Sequence, residues 1–98
     1  MNAWFERLRE AVLADLGDGA GRAEALSLTP DDARLLLDLA RDAAHGSGAR
    51  QYAPLATFLA GRLIEAEGAG ADQAARAALI ARLARAVETA GPAGAEPL

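Results

Sequence analysis

Apolar residues recur at helical intervals in four stretches of this chain, separated by glycine-rich breaks. In the first, Trp4, Phe5, Leu8, Val12, Leu13 and Leu16 share one broad face, while Glu6, Arg7, Arg9, Glu10 and Asp15 fall toward water. Asn2 can cap this stretch and Gly17 ends it, which predicts a helix from about Ala3 to Leu16. Trp4 and Phe5 are expected as core anchors; exposed, they would form a partner-binding patch. The run Gly17-Asp18-Gly19-Ala20-Gly21 reads as a flexible linker. It is not a phosphate loop, which needs a lysine followed by Ser or Thr after a strand; the chain has no lysine and no clear strand. Ala23 to Leu28 leads onward, with Leu26 and Leu28 expected beneath the start of the next helix.

That helix has the clearest start. Thr29 can accept from an orphan N–H, Pro30 suits the first helical position, and Asp31 and Asp32 put negative charge at the positive end of the helix dipole. Ala33, Leu36, Leu37, Ala40 and Ala44 make its apolar face; Asp38, Arg41, Asp42 and His45 lie on or beside the opposite one. Gly46 is the expected C-terminal cap. Ser47 to Ala53 is expected as a loop, with Ala53 pushed toward extended backbone by Pro54, which opens the third helix. There Leu55, Phe58, Leu59 and Leu63 form the apolar stripe. Gly61 within it costs about 1 kcal/mol relative to alanine and predicts a close helix approach or a slight kink. Glu67 to Ala71 is a loop, and Asp72 caps a fourth helix, roughly Gln73 to Thr89. Its stripe is Leu79, Ile80, Leu83, Ala84 and Val87, with Arg76, Arg82, Arg85 and Glu88 outward. Gly91-Pro92 stops it. The expected fold is all-α: a small four-helix bundle, mostly antiparallel, with residues 1–90 as a single helical domain and 91–98 as a disordered tail.

Composition narrows the function classes. The 52% hydrophobic fraction is mostly alanine, and only Trp4, Phe5, Tyr52 and Phe58 are aromatic, so helices should pack closely around a modest core. The net charge of −4 argues against nonspecific nucleic-acid binding, which needs a basic face. All ten basic residues are arginine, as a GC-rich genome would give. Without cysteine there are no disulfides, thiolate metal sites or cysteine nucleophiles. Met1 to Ala20 lacks the shape of a secretory leader, and no apolar run nears the roughly 20 residues of a membrane span. A cytoplasmic protein that does not enter the membrane is the expectation.

Polar groups with chemical potential gather at one place, the connection between the second and third helices. Arg41 and His45 lie one turn apart, and Arg50 follows in the loop. Two guanidinium groups and an imidazole suit a phosphate or a carboxylate, because arginine offers paired donors in a fixed fork. Thr57 would join them from the first turn of the third helix, with Asp38 and Asp42 orienting the cations and Tyr52 walling that end. The plainer reading pairs Arg41 with Asp38 on the surface, uses Arg50 to tether the loop, sets His45 against the helix's negative end, and bonds Thr57 to the preceding turn. Asp38, Asp42 and His45 are a weak metal set with no metal loop around them, and no metal or cofactor is expected. A Ser47–His45–Asp42 triad lacks a nucleophile elbow and an oxyanion hole.

The string Leu36-Leu37-Asp38-Leu39-Ala40-Arg41-Asp42, followed by Ala44-His45-Gly46, Arg50, Ala53-Pro54-Leu55, Thr57-Phe58-Leu59 and Gly61, resembles a small uncharacterised bacterial domain of unknown function. The Met-Asn-x-Trp opening is similar too, and the resemblance spans roughly residues 2 to 88. That family is found free-standing or joined to the molybdenum-cofactor guanylyltransferase. This chain departs from its pattern at Ala43 and Ala56, where the family carries a larger apolar residue and a second threonine. The resemblance implies a non-catalytic accessory or interaction domain working beside molybdopterin guanine dinucleotide synthesis, with the guanylyltransferase as partner. A small ligand-binding protein or enzyme using His45 with Arg41 and Arg50 is the alternative. A homodimerisation module packing alanine-rich faces across a two-fold axis is a third.

Overall fold

The structure, a computed structural model, describes residues 2–95 apart from the side chain of Ala20. It is all-α, with no strand among the described residues. Four long helices lie where the apolar periodicity predicts them: α1 (Ala3–Leu16), α3 (Pro30–Ser47), α4 (Ala53–Ala66) and α5 (Gln73–Ala90). The short α2 (Arg22–Ala25) and two 3₁₀ turns, Gly19–Gly21 and Arg50–Tyr52, occupy stretches expected as linker or loop. The chain divides into two compact units, Met1–Asp31 and Asp32–Leu98.

In the first unit, Asn2 caps α1 by accepting from the Phe5 N–H at 3.0 Å. Gly17, at φ 77°, ends it by donating to the Leu13 carbonyl. The glycine run that follows is not a flexible linker. Asp18 accepts from the Ala23 N–H, and Arg22 Nη1 donates to the carbonyls of Leu16 and Gly17 at 3.0 and 3.2 Å. Arg9, expected in water, instead lies half-buried with its guanidinium on the Ala23 carbonyl. Arginine side chains thus satisfy the carbonyls that the helix end and the turn leave open. No residue of α1 is buried; Trp4 is 62% exposed, so it is not a core anchor, and Leu26 does not tuck away.

The second unit is a three-helix arrangement. Asp32, in the first turn of α3, bonds Gln73 and Arg76 in the first turns of α5. At the other end, a Cβ on Gly46 would lie 3.3 Å from Val87 Cγ1. The two helices therefore run parallel, and α4 returns antiparallel to both. Leu39, Ala43, Ala56, Ala60 and Ile80 form the core, flanked by Leu35, Leu36, Ile64, Leu83, Ala84 and Val87.

The phase of α4 differs from expectation. Its inward face is Ala56 and Ala60, and the larger Leu55, Phe58 and Leu59 are 45, 64 and 54% exposed. Small side chains let the helices approach, whereas a stripe of large ones would hold them apart. Likewise Leu39 lies at the centre of the α3 face, and Leu37 is 71% exposed. Close approach occurs at Gly46 and not at Gly61, where an added Cβ would meet nothing within 4 Å.

Helix ends are also corrected. Gly46 stays within α3, and Gly48, at φ 82°, donates to the Ala44 carbonyl as the helix terminator. Ala53 is helical (φ −57°, ψ −48°) despite preceding Pro54, because the 3₁₀ turn leads straight into α4 and Pro54 occupies its first turn. Gly68 and Ala69 close α4 with paired bonds to the carbonyls of Glu65 and Ile64, a Schellman arrangement. Asp72 Oδ1 then accepts from the Ala75 N–H to start α5. After α5, the Ala93 N–H donates to the Ser47 carbonyl; the end of the expected disordered tail, residues 96–98, lies outside the described residues.

Candidate functional site

The end of α3 and the turn after it form an open depression of about 880 Å³. Arg41, His45 and Arg50 line it, with Ala44, Gly48, Ala49 and Gln51 between them. The backbone dictates this grouping. Arg41 and His45 are one helical turn apart on the last turns of α3, and the positive φ of Gly48 reverses the chain so that the 3₁₀ turn returns Arg50 toward them. Ser47 stabilises the reversal, its Oγ accepting from the Ala49 N–H at 3.2 Å.

Arg41 is flanked by both expected carboxylates, Asp38 at 3.6 Å and Asp42 at 3.6 Å. These side chains are about half exposed, so each pair is long, screened and weak. They leave the guanidinium able to take another partner. His45 places its imidazole in the last turn of α3, beside the helix's negative end. Neither the His45 ring nor the Arg50 guanidinium has a polar partner among the described residues. The depression is shallow and solvated. It offers donors on an open surface, not an enclosed chamber that excludes water.

Thr57 does not line this depression. Its Oγ1 donates to the Pro54 carbonyl at 3.0 Å, the local bond typical of a helical threonine. Tyr52 is half-buried and does not wall it. Ser47 is bonded to its own turn, and no three of the described His, Asp or Glu residues come together as a metal site.

The most strongly built polar cluster lies at the opposite end of the unit and had no signal in the sequence. Asp32 is 5% exposed. Its carboxylate accepts from Gln73 Nε2 at 2.8 Å and from Arg76 Nε at 3.1 Å, and Arg76 Nη2 lies 3.1 Å from its second oxygen. Arg76 Nη1 also donates to the Gly70 carbonyl at 2.6 Å, and Nη2 to Gln73 Oε1 at 3.0 Å. Arg76 therefore points inward, contrary to its expected outward place. With both partners bonded on several sides, the cluster reads as a clamp between the starts of α3 and α5. No helix among the described residues is long and apolar enough to cross a membrane.

No curated protein and no solved structure matches the chain. The family described as a domain of unknown function, DUF6457, matches residues 1–95, and the chain belongs to it.

Proposed function

We propose that this protein is a non-catalytic interaction domain that recognises an anionic group on a partner protein through Arg41, His45 and Arg50. The observation that carries this reading is the shared open depression at the end of α3, lined by the exposed side chains of Arg41, His45 and Arg50. A catalytic role would call for a ring nitrogen of His45 oriented by a third group and a site that excludes water. Exposed forked donors suit a carboxylate or phosphate presented on another surface. Asp38 and Asp42 lower the local positive charge, which favours a selective, moderate contact over indiscriminate anion binding. By the resemblance of its central motif, the partner is the molybdenum-cofactor guanylyltransferase in the cytoplasm, and the anionic group belongs to that enzyme or its phosphate-bearing product.

The test is direct binding of the purified guanylyltransferase to this chain, followed by calorimetry at two salt concentrations. Wild type is expected to bind, and Arg41→Glu with Arg50→Glu to weaken binding by 10-fold or more, as reversed charges at a complementary surface do. Absence of binding rules out this partner. Binding that ignores the double charge reversal rules out the depression as the contact.

A further inference from the structure

The last described stretch of the chain comes back to the end of α3. Gly91, at φ 68°, turns the backbone off α5 while donating to the Val87 carbonyl, and the Ala93 N–H donates to the Ser47 carbonyl at 2.9 Å. Ser47 is the last residue of α3, and its carbonyl is one of those a helix end leaves without an intrahelical donor. Gly48, the next residue, lines the candidate anion site. We infer that the segment after α5 carries a competitor for that site: the Glu96 carboxylate, which occupies the Arg50 end of the depression until an external anion displaces it. The inference rests on the anion-site reading above and adds its regulation.

Two observations select Glu96 as the occupant. The first is reach. Glu96 lies just outside the described residues, three positions after Ala93, a span of at most about 10 Å. Only Gly94 and Ala95, both exposed and neither bulky nor charged, stand between. From the bond at Ser47, His45 is two residues back, about 3 Å along the α3 axis, and Arg50 is three residues ahead in the 3₁₀ turn. A segment anchored this close presents its carboxylate to the neighbouring donors at an effective concentration on the order of millimolar.

The second observation is charge. Glu96 is the only ionisable side chain after Glu88, and it is acidic. Asp38 and Asp42 flank Arg41 from α3 itself, whereas His45 and Arg50 have no polar partner among the described residues. The anchored segment therefore delivers an anion to the end of the depression whose donors lack one. An exposed carboxylate–guanidinium pair is weak and screened by salt, so the contact damps the site without closing it. A doubly charged phosphate, or an anion presented on a larger partner surface, displaces it.

Titration of inorganic phosphate into the ¹⁵N-labelled full chain at low ionic strength tests this in wild type, Glu96→Gln and Glu67→Gln. Glu67 stands at the far end of α4 and serves as the control for net charge. Glu96→Gln should lower the phosphate dissociation constant by about twofold to fivefold, the equivalent of one exposed ion pair. Without phosphate, it should also shift the Arg50 side-chain resonance toward its position in wild type at high salt. Neither change should appear in Glu67→Gln. Glu96 follows α5, so helical circular dichroism should match wild type. Equal phosphate affinity in wild type and Glu96→Gln overturns the inference and leaves the anion site standing, as does equal tightening in Glu67→Gln. A gain in affinity with no phosphate-free change at Arg50 overturns it too. Saturable binding in none of the three removes the anion-site reading, and the inference with it.

Discussion

Removing Arg76 should be among the most damaging single changes outside the apolar core. In the fold its guanidinium holds the buried Asp32 carboxylate through Nε and Nη2, at 3.1 Å each to the nearer oxygens, and the Gly70 carbonyl through Nη1. The two side chains are 16 and 8% exposed, so water cannot readily replace the lost partner. Breaking one side of a buried pair costs about 3–5 kcal/mol, because the remaining charge stays desolvated. Gln73 still donates to Asp32 after the change, which puts Arg76→Ala at the low end, about 3 kcal/mol. For a domain of this length that is a fall in Tm of roughly 12–24 °C. Thermal and urea unfolding followed by circular dichroism measure it. Replacing both partners, with Asp32→Leu and Arg76→Leu together, removes the charge and its need at once, and should recover to within about 1 kcal/mol of wild type. The reasoning is refuted if Arg76→Ala costs under about 1 kcal/mol, or if the double variant loses the sum of the two single losses.

Other outcomes follow from the helix phases. Leu39→Ala should cost about 3 kcal/mol in urea unfolding, while Leu37→Ala, two positions away but 71% exposed, should stay within about 0.5 kcal/mol of wild type. Gly46→Val should destabilise by about 1–3 kcal/mol through its clash with Val87, whereas Gly61→Ala should stabilise by about 1 kcal/mol, since nothing stands in its way. Asp72→Ala should cost about 1 kcal/mol by leaving the Ala75 N–H uncapped, read as a drop in Tm.

Sequence legibility tracked the range of the interactions. The α5 stripe was readable because Leu79, Ile80, Leu83 and Val87 are the only large apolar side chains on a helix otherwise made mostly of alanine and arginine. The start of α1 at Asn2 and of α5 at Asp72 were readable because caps act over three residues. The phase of α3 was obscured by leucines at 35, 36, 37 and 39, which make several faces apolar at once. In α4 the large side chains drew the prediction outward. The usable signal was the small-residue series Ala53, Ala56 and Ala60 leading to Ile64, which fits a closely packed interior better than Phe58 does. The grouping of Arg41, His45 and Arg50 was legible because one helix end and one turn make it. For Thr57 the plainer of its two readings, a bond to the preceding turn, is the one seen, because the direction of its hydroxyl is set by the carbonyls of its own helix. The Asp32–Arg76 clamp joins residues 44 positions apart, and nothing local to either one announces it.

The claim at the centre of this account is that the end of α3 is an anion-recognising surface. It is tested most directly by titrating inorganic phosphate into the ¹⁵N-labelled full chain and following amide and arginine side-chain resonances. The account predicts saturable shifts concentrated at residues 41–51, strongest at Arg41, His45 and Arg50, and lost in Arg50→Glu. Shifts spread evenly over exposed arginines such as Arg7, Arg82 and Arg85, or no shifts at all, would contradict it.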